Sequence, residues 1–481
     1  MNTNLLLMTD SYKASHYLQY PAGTTRVSSY IEARGGQWPA TVFFGLQMFI
    51  REYLSKPITL SDIDEAQAIW EAHGEPFNRD GWLHILQTHS GYLPVRIEAA
   101  PEGSVIPVGN VLVQIVNTDP MVPWLTSFLE TALLRAVWYP TTVATNSYEA
   151  KKVIFKYLQE TSDDPLAELP FKMHDFGARG VSSAESAALG GAAHLVNFMG
   201  TDTIEGVLAA RRYYYDLLSK KYGADMPGFS IPAAEHSTIT SWGGPEYESQ
   251  AFENILNQFA KPGKLVAVVS DSYDIYNATS NIWGSELLEK VRNSGATVVV
   301  RPDSGDPIIV PIEVIELLME KVGYTINRLG YKVLPSYFRV IQGDGINVES
   351  IRTILQTMKA AGLSASNIAF GQGGGLLQQV NRDTQKFAMK CSAIEVNGVW
   401  RDVWKDPISD SGKQSKRGRL ALIESTGIGG GVWRTIRETE VSSHIPTTLR
   451  TVFDTGIISN ITSFESVRAL ASKEFSVRED T

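Results

Sequence analysis

Short apolar runs alternate with longer helical stretches through the middle of the chain, from residue 171 to about residue 390. Most of these runs are separated by roughly 25 to 40 residues, which is room for a crossover helix. Repeated strand–helix units predict a parallel sheet with covered faces, folded as an irregular or partial β/α barrel. The predicted strands are Phe171–Asp175, His194–Phe198, Phe229–Pro232, Leu265–Ser270, Ala296–Val300, Phe338–Gln342 and Asn367–Gly371.

The two ends of the chain have a less regular pattern. Helical periodicity near Ser61–His73 is followed by short strand patterns between Leu93 and Val116. The acidic, proline-containing segment Thr161–Pro170 indicates a boundary. We therefore predict an α/β protein in which residues 166–389 form the catalytic barrel, and residues 1–165 and 390–481 together form a second, mixed α/β domain.

Composition narrows the class of protein. The chain has 481 residues, of which 43% are hydrophobic and 20% charged, so it can bury a large core. The net charge of −9 argues against a dedicated nucleic-acid binder. The single cysteine, Cys391, excludes an internal disulfide and a cysteine-based zinc site. The apolar run Leu5–Met8 is too short for a signal peptide, and no run is long enough to cross a membrane. We therefore expect a cytoplasmic protein that binds no membrane.

Polar and small residues suited to catalysis follow each of the seven predicted strands. Any one such loop is explained by turn or helix-cap chemistry, but seven in succession at one face of a barrel indicate an active site. The loops are DFGARG with Arg179, GTDT with Asp202, AAEHST with Glu235 and His236, SDSYD with Ser270, Asp271 and Asp274, RPDSGD with Arg301, Asp303 and Asp306, QGDG with Gly343 and Asp344, and GQGGG with Gly371 and Gly373–Gly375.

Two of these loops have the composition of a site for an anionic phosphosugar. The glycines Gly373–Gly375 allow backbone N–H groups to approach a phosphate, and Arg382 can add a charged contact. Arg301 and Asp303 are two residues apart on extended backbone, so they face the same way. The arginine can hold pyrophosphate while the aspartate contacts ribose hydroxyls or Mg²⁺. Taken singly, each loop is equally explained as a turn or an ordinary ion pair.

His236 is the histidine placed for chemistry, as a general base, a pyrophosphate ligand or a phosphate acceptor. The other histidines give no such signal. His84 and His89 are five residues apart, the wrong spacing for one helical face, and no HExxH motif is present. The sequence also has no Walker A motif and no Rossmann fingerprint in its proper context, so neither a P-loop ATPase nor a dehydrogenase is indicated.

The segment Phe176–Arg382 closely resembles the nicotinamide phosphoribosyltransferases, salvage enzymes of NAD synthesis. The resemblance extends outside the barrel, to TDSYKASHY at Thr9–Tyr17, MKCS at Met389–Ser392 and KDP at Lys405–Pro407, with SKRGRL nearby. Inside the barrel it is carried by FGARGVSS, HLVNFMGTDT, PAAEHSTITSWG, VVSDSYDIYNA, RPDSGDP, RVIQGDG and IAFGQGGGLLQ.

The resemblance implies a type II phosphoribosyltransferase that works as a head-to-tail homodimer with active sites at the interface. It implies transfer of phosphoribosyl from 5-phosphoribosyl-1-pyrophosphate to nicotinamide, and gives each candidate residue a role. Phe176 and the partner subunit's Tyr12 enclose the nicotinamide ring, and Asp202 accepts a hydrogen bond from its carboxamide. The other implied contacts are Arg179, His236 and Arg301 with pyrophosphate; Asp303, Gly343 and Asp344 with ribose; Gly373, Gly374 and Arg382 with the 5-phosphate; Arg34, Lys390, Lys405 and Lys413 with anionic groups across the interface; and Ser270 with substrate. The implied catalytic residues are His236, Asp303 and Asp274.

The same resemblance implies Mg²⁺ and ATP as cofactors. Mg²⁺ is expected to be held mainly by the substrate's pyrophosphate, and no protein ligand is assigned to it. ATP is expected to phosphorylate His236 and so couple its hydrolysis to turnover. Two positions depart from the family pattern: Ala178 stands where vertebrate relatives have tyrosine, and Ala388 precedes MKCS where a phosphate-binding serine is expected.

Three alternative functions remain beside nicotinamide phosphoribosyl transfer. A nicotinate phosphoribosyltransferase shares the scaffold, but Asp202 would repel its carboxylate substrate. A non-catalytic binding or signalling protein on the same scaffold has no need of the charged loop residues. An unrelated metal-dependent barrel enzyme acting on phosphosugars would not carry the matching strings.

Overall fold

The computed structural model describes residues 4–215, 225–409, 414–427 and 430–475. Strands are numbered in chain order: β1 (Thr24–Ala33), β2 (Ala40–Val42), β3 (Val95–Ala99), β4 (Val105–Pro107), β5 (Val111–Asn117), β6 (Met173–Asp175), β7 (Gly200–Thr201), β8 (Leu265–Val269), β9 (Thr297–Arg301), β10 (Thr325–Ile326), β11 (Lys332–Val333), β12 (Phe338–Gln342), β13 (Ile368–Gln372), β14 (Phe387–Val396), β15 (Val399–Asp402), β16 (Leu420–Gly427), β17 (Gly430–Arg437), β18 (Arg450–Asp454) and β19 (Ile457–Ile458).

Helices are numbered in the same way: α1 (Leu46–Phe49), α2 (Leu60–His73), α3 (Arg79–Thr88), α4 (Leu125–Phe128), α5 (Glu130–Thr161), α6 (Pro165–Glu168), α7 (Ala184–His194), α8 (Ile204–Tyr214), α9 (His236–Thr240), α10 (Glu248–Phe259), α11 (Ile275–Asn277), α12 (Leu288–Ser294), α13 (Val310–Val322), α14 (Val348–Ala360), α15 (Gly374–Leu377) and α16 (Phe464–Ala471). None of the described helices is long and apolar enough to span a bilayer.

One compact unit, the barrel unit, consists of Asn146–Leu208, Lys221–Val380 and Glu474–Thr481. Its main sheet has six strands, hydrogen-bonded in the order β7-β6-β13-β12-β9-β8, and every neighbouring pair in that sheet is parallel. Because spatial neighbours are mostly successive strands of the sequence, each connection is a single crossover, as in a β/α barrel.

An extended segment between β7 and β8 in the sequence closes this sheet. The amide of Thr201 donates to the carbonyl of Phe229 at 2.9 Å, so the segment's start is bonded to β7. The amide of Ala267 donates to the carbonyl of Pro232 at 2.9 Å, so its end is bonded to β8. Residues 229–234 therefore stand in the place of a seventh strand, and the sheet curls into a barrel.

The barrel strands are rich in valine because both of their faces are buried. Ala267, Val299 and Ile341 form a small apolar cluster from three neighbouring strands. The alternate residues Val298 and Val300 point to the opposite face and are fully buried as well. A run without polar alternation is thus what a parallel, helix-covered sheet requires.

The second compact unit, the sheet unit, consists of Met1–Thr145, Ala209–Lys220 and Asn381–Lys473. It contains a seven-stranded antiparallel sheet in the order β15-β14-β1-β5-β3-β18-β19. Strand β1 from the N-terminal segment pairs with β14 from the C-terminal segment, from Thr24 opposite Val396 to Ala33 opposite Phe387. Both chain ends therefore build one sheet.

Local signals in the sequence explain where helix α2 begins. Thr59 accepts a hydrogen bond from the amide of Asp62, and the Asp62 carboxylate accepts one from the Thr59 amide at 2.8 Å. This capping box satisfies amides that the first helical turn leaves unpaired. The cap at Thr59 lies two residues before Ser61, near which the helical periodicity predicts the start of this helix.

The predicted α/β fold, a β/α barrel with a mixed domain built from both chain ends, is confirmed. One predicted strand is wrong: His194 ends helix α7, and the strand lies at Gly200–Thr201 instead. The His194 ring is fully buried, with Nδ1 at 3.0 Å from Ser147 Oγ and Nε2 at 3.0 Å from the Gly200 carbonyl. The domain boundaries drawn from the sequence stay a prediction.

Candidate functional site

The carboxyl ends of the barrel strands bring most of the predicted site residues to one face of the barrel unit. Because all the strands run parallel, the loops after them open on the same side. These loops carry Phe176 and Arg179 after β6, Asp202 after β7, His236 after the 229–234 segment, Asp271 after β8, Arg301 and Asp303 at the end of β9, Gly343 and Asp344 after β12, and Gly373 and Gly374 after β13.

Phe176 lies over the strand ends at the barrel mouth. Its amide donates to the carbonyl of Gln372 at 3.0 Å, which fixes the backbone beside β13. Its ring lies against Gly371, where a Cβ atom would overlap three ring atoms. A Cβ atom at Gly343 would be 3.5 Å from the ring, an ordinary contact. The ring thus presents an aromatic face at the site only because residue 371 has no side chain.

Asp202 places a carboxylate at the end of the neighbouring strand. Its amide donates to the carbonyl of Asp175 at 2.9 Å, and its Oδ1 accepts the hydroxyl of Ser230 at 2.5 Å. The residue is exposed, whereas Asp175 beneath it is fully buried. Burial raises the pKa of Asp175 to about 6. The exposed carboxylate is the one that can meet a ligand.

A chain of hydrogen bonds joins His236 to the loop after β9. The Nε2 atom of His236 lies 2.9 Å from Oδ1 of Asp271, and the His236 side chain is 46% exposed. The other Asp271 oxygen accepts the amide of Asp303 at 3.0 Å and the hydroxyl of Ser304.

These contacts decide the charge of Asp271. Burial alone would raise its pKa, but hydrogen bonds from Ser304, His236 and the Asp303 amide lower the pKa below its usual value. Asp271 therefore stays ionised and orients one ring nitrogen of His236. In a neutral imidazole this leaves the other nitrogen available as a nucleophile or acceptor.

Arg301 is mostly buried at the end of β9. One guanidinium nitrogen, Nη2, donates to the carbonyl of Ala234 at 3.3 Å and lies 4.0 Å from Oδ2 of Asp303. The Arg301 and Asp303 side chains thus face the same way, as their spacing predicts. The ion pair between them is long, so the guanidinium retains capacity for an anion.

The glycine loop after β13 forms a short turn of helix, α15. A Cβ atom at Gly374 would meet nothing within 4 Å, so open space adjoins this backbone. A Cβ atom at Gly180 would be 3.3 Å from the Gly374 Cα, so the loop carrying Arg179 adjoins the glycine loop. Such an arrangement can receive a phosphate on backbone amides.

Two predicted residues after β8 have structural partners. Ser270 is fully buried, and its hydroxyl donates to the carbonyl of Val268 at 2.9 Å while accepting the indole N–H of Trp283 at 3.0 Å. Asp274 is exposed and caps α11, accepting the amides of Tyr276 and Asn277. Ser270 therefore supports the loop after β8 through buried hydrogen bonds.

The remaining predicted contacts lie in the sheet unit, where cations cluster around Lys390 on β14. Burial lowers the pKa of Lys390, and the nearby charges of Arg34, Lys405 and Arg382 lower it further, against the opposing effect of Glu130. Tyr12 is 56% exposed in the 3₁₀ helix Ser11–Leu18. Lys413 lies outside the described residues.

Sequence reasoning missed two carboxylates near this chemistry. The sequence predicts Asp271 only as a strand-end residue, whereas its contact with His236 organises the loop. Glu248 at the start of α10 is buried, and burial raises its pKa to about 7, with the charges of Asp274 and Asp271 adding to the effect. The sequence signal for Asp271 is its position directly after a buried strand. Glu248 has no comparable signal, because it is one polar residue among others on a helix.

Comparison with known proteins places this geometry in a family. Residues 171–457 match the nicotinate phosphoribosyltransferase family, and residues 4–97 match the nicotinamide phosphoribosyltransferase N-terminal domain. The chain is 55% identical to a nicotinamide phosphoribosyltransferase of Xanthomonas campestris pv. campestris over 97% of this chain and 98% of that protein. It is 33% identical to one from Acinetobacter baylyi, over 88% of each.

Solved structures share the fold. A human nicotinic acid phosphoribosyltransferase superposes with a TM-score of 0.62 at 16% identity, covering 97% of this chain and 93% of that one. A nicotinate-nucleotide pyrophosphorylase from Pyrococcus furiosus gives a TM-score of 0.59 at 16% identity, covering 98% and 96%. The chain therefore belongs to the nicotinate phosphoribosyltransferase family of enzymes and carries the nicotinamide phosphoribosyltransferase N-terminal domain.

Proposed function

We propose that this enzyme transfers the phosphoribosyl group of 5-phosphoribosyl-1-pyrophosphate to nicotinamide, forming nicotinamide mononucleotide and pyrophosphate for NAD salvage. The observation that carries the choice of base is Asp202, an exposed carboxylate just after β7, the strand that pairs with β6, which Phe176 follows. The relatives named nicotinamide phosphoribosyltransferase support the same choice.

The chemistry of the two bases explains the preference. A carboxamide N–H can donate to the Asp202 carboxylate, whose Oδ1 is already held by Ser230. The carboxylate of nicotinate offers no donor and carries a like charge, so it would be repelled. The face of Phe176 can stack on either pyridine ring and therefore does not discriminate.

Phosphoribosyl transfer depends on stabilising the charges that develop on ribose and pyrophosphate more than on moving a proton. The bond from C1 of the ribose to the pyrophosphate oxygen breaks, its electron pair leaves with pyrophosphate, and the pyridine nitrogen forms the new bond to C1. Arg301 can stabilise the leaving pyrophosphate, and the Asp303 and Asp344 carboxylates can stabilise positive charge on the ribose. The pyridine nitrogen attacks with its own lone pair, so the reaction needs no general base. The enzyme has only to position the ring against C1 of the ribose.

The carboxylates at the barrel mouth suit a metal that is shared with substrate. Among the described residues of the barrel unit, no three histidine or acidic side chains converge tightly enough to form a cage of protein ligands. Mg²⁺ commonly binds through one or two carboxylates together with phosphate oxygens, and would here neutralise pyrophosphate charge. Asp303 and Asp344 are the residues we assign to it.

We extend the proposal to ATP as a co-substrate. The nitrogen of His236 that does not contact Asp271 would attack the γ-phosphorus of ATP, forming an N–P bond as the P–O bond to ADP breaks. The phosphoryl group would then attract the cations and Mg²⁺ that bind the phosphosugar. His236→Ala should lose both ATP hydrolysis and stimulation by ATP while keeping slow ATP-independent transfer.

Asp271 supplies a second test of this role. Asp271→Asn removes the charge that orients His236 and should reduce ATP-stimulated turnover about 100-fold, the scale of a lost positioned acid–base group. Ser304→Ala removes only one of the hydrogen bonds on Asp271 and should have a much smaller effect. ATP hydrolysis that survives in His236→Ala contradicts the phosphohistidine, leaving only direct contact with pyrophosphate.

We also propose a homodimer with shared sites. The exposed ring of Tyr12 and the cation cluster around Lys390 support it, because they are surfaces suited to an aromatic base and an anionic sugar. In this arrangement the partner subunit's Tyr12 would cover the nicotinamide bound on Phe176.

The test of base choice is a comparison of kcat/KM for nicotinamide and nicotinate. The unmutated enzyme should favour nicotinamide strongly, and Asp202→Ser should narrow the ratio by at least about tenfold, the value of one charge-assisted hydrogen bond. Glu205→Ser, which removes a neighbouring acid on α8, should leave the ratio unchanged. Equal use of both bases by the unmutated enzyme favours the nicotinate alternative suggested by the family's name.

A further inference from the structure

Three potential metal ligands converge in the sheet unit, apart from every residue used above. The Nε2 atoms of His84 and His89 each lie 2.7 Å from the same oxygen, Oδ2 of Asp119. Among the described residues, these three form the one group of histidine, cysteine or acidic side chains whose ligand atoms all lie within 4.8 Å of one another.

The backbone explains why two histidines with an unfavourable spacing meet. On a continuous helix, residues five apart point about 140° away from each other. Helix α3 ends at Thr88, however, and His89 has left helical geometry, with φ −114° and ψ 15°. This turn brings the His89 ring to the side of His84, with the ring centroids 6.1 Å apart.

Asp119 is held so that one oxygen faces the two imidazoles. Its Oδ1 accepts the amide of Met121 at 2.8 Å, and its carbonyl accepts the side-chain amide of Asn117 at 2.7 Å. Oδ2 is therefore left for the histidines. The second nitrogen of His84 lies 3.4 Å from the Thr88 hydroxyl, a contact of the kind that orients metal-binding histidines.

We propose that His84, His89 and Asp119 bind a divalent transition-metal ion, for which Zn²⁺ is the reference. Two imidazole nitrogens and one carboxylate oxygen are a ligand set that zinc takes readily, with a water as the fourth ligand. The imidazoles are 30% and 21% exposed, so an ion and its water can reach them.

The required movement is small. Ligand atoms around a tetrahedral zinc with bonds of about 2.0–2.1 Å lie about 3.3 Å apart, against 2.7 Å here. Each imidazole nitrogen would have to move about 0.6 Å further from Oδ2, the difference between 3.3 and 2.7 Å, which a small rotation of each side chain allows. The ion would then join the end of α3 to the segment after β5, which are already linked through Asp119, and stabilise the folded sheet unit without taking part in phosphoribosyl transfer.

The contrasting interpretation is a purely structural contact, in which the imidazoles only hold the Asp119 segment. Direct zinc measurement separates the two. The full-length protein is treated with a chelator, dialysed against about 10 µM free Zn²⁺ and assayed for zinc per chain and for thermal midpoint. The site predicts one zinc per chain and a higher midpoint, both lost in His84→Gln/His89→Gln.

Two further variants keep the result interpretable. His444→Gln removes an exposed histidine elsewhere in the same unit and should bind zinc as the unmutated protein does. Asp119→Asn keeps an oxygen for the Met121 amide, so it should fold, yet bind zinc at least tenfold more weakly. Absence of zinc from the unmutated protein, or equal zinc in the double variant, overturns the proposal.

Discussion

Replacing Gly371 with alanine tests whether the barrel mouth is built around the ring of Phe176. An added Cβ atom would overlap the Cε2 and Cδ2 atoms of the ring and approach Cζ to 2.9 Å. Ordinary carbon contacts begin at about 3.5 Å, so the ring must move by more than an ångström or the strand must shift.

The size of the effect follows from this overlap. Overpacking at a fixed backbone typically costs about 1–3 kcal/mol of unfolding free energy. If the ring moves away instead, nicotinamide loses a stacking partner worth about 0.5–1.5 kcal/mol, which raises its KM roughly 2- to 13-fold. Gly371→Ala should therefore lower the denaturation midpoint, raise KM for nicotinamide, or do both.

A double-mutant cycle isolates the contact. In a Phe176→Ala background the ring is absent, so adding Gly371→Ala should cost almost nothing in stability and leave the already weakened KM unchanged. Denaturant midpoints and nicotinamide KM values for the four proteins give the coupling. Equal effects of Gly371→Ala in both backgrounds would refute the role assigned to the ring.

Two other predictions concern subunit sharing and pH. Mixing inactive Tyr12→Ala and Arg301→Ala proteins should restore part of the activity through hybrid dimers with one intact site, and exchange of subunits without recovery contradicts shared sites. Because folding raises the pKa of Glu248 from 4.5 to about 7, the folded state binds its proton more tightly, and stability should fall as pH rises between those values. Glu248→Gln should reduce that fall between pH 5 and pH 8, whereas an unchanged pH slope argues against a buried, protonated Glu248.

The barrel could be predicted because its strands give two signals in the sequence: an apolar run and a polar loop directly after it. Segments such as β8 and β9 are short, valine-rich and followed at once by polar loops, so both position and function can be predicted from the same residues. The strand at Gly200–Thr201 was misplaced because two residues are too few to make an apolar run. The run that precedes it, His194–Phe198, resembles a strand because Leu195, Val196 and Phe198 are apolar, and all three are buried.

The residues that were missed depend on tertiary packing. Glu248 is a helix residue like many others until α10 buries it beside Asp271 and Asp274. The spacing of His84 and His89 argues against a shared site on one helix, but that argument fails because α3 ends between the two residues. Whether such side chains come together depends on where a helix ends and on which elements pack against it. The pattern of a single sequence does not specify either.

The most direct test of the proposed activity is a competition for one active site. The purified enzyme is given 5-phosphoribosyl-1-pyrophosphate, Mg²⁺ and equal concentrations of nicotinamide and nicotinate, and the products are separated and identified by mass. Nicotinamide mononucleotide as the dominant product is the predicted result. Nicotinate mononucleotide in equal or greater amount would contradict the proposal that the Asp202 carboxylate selects the base.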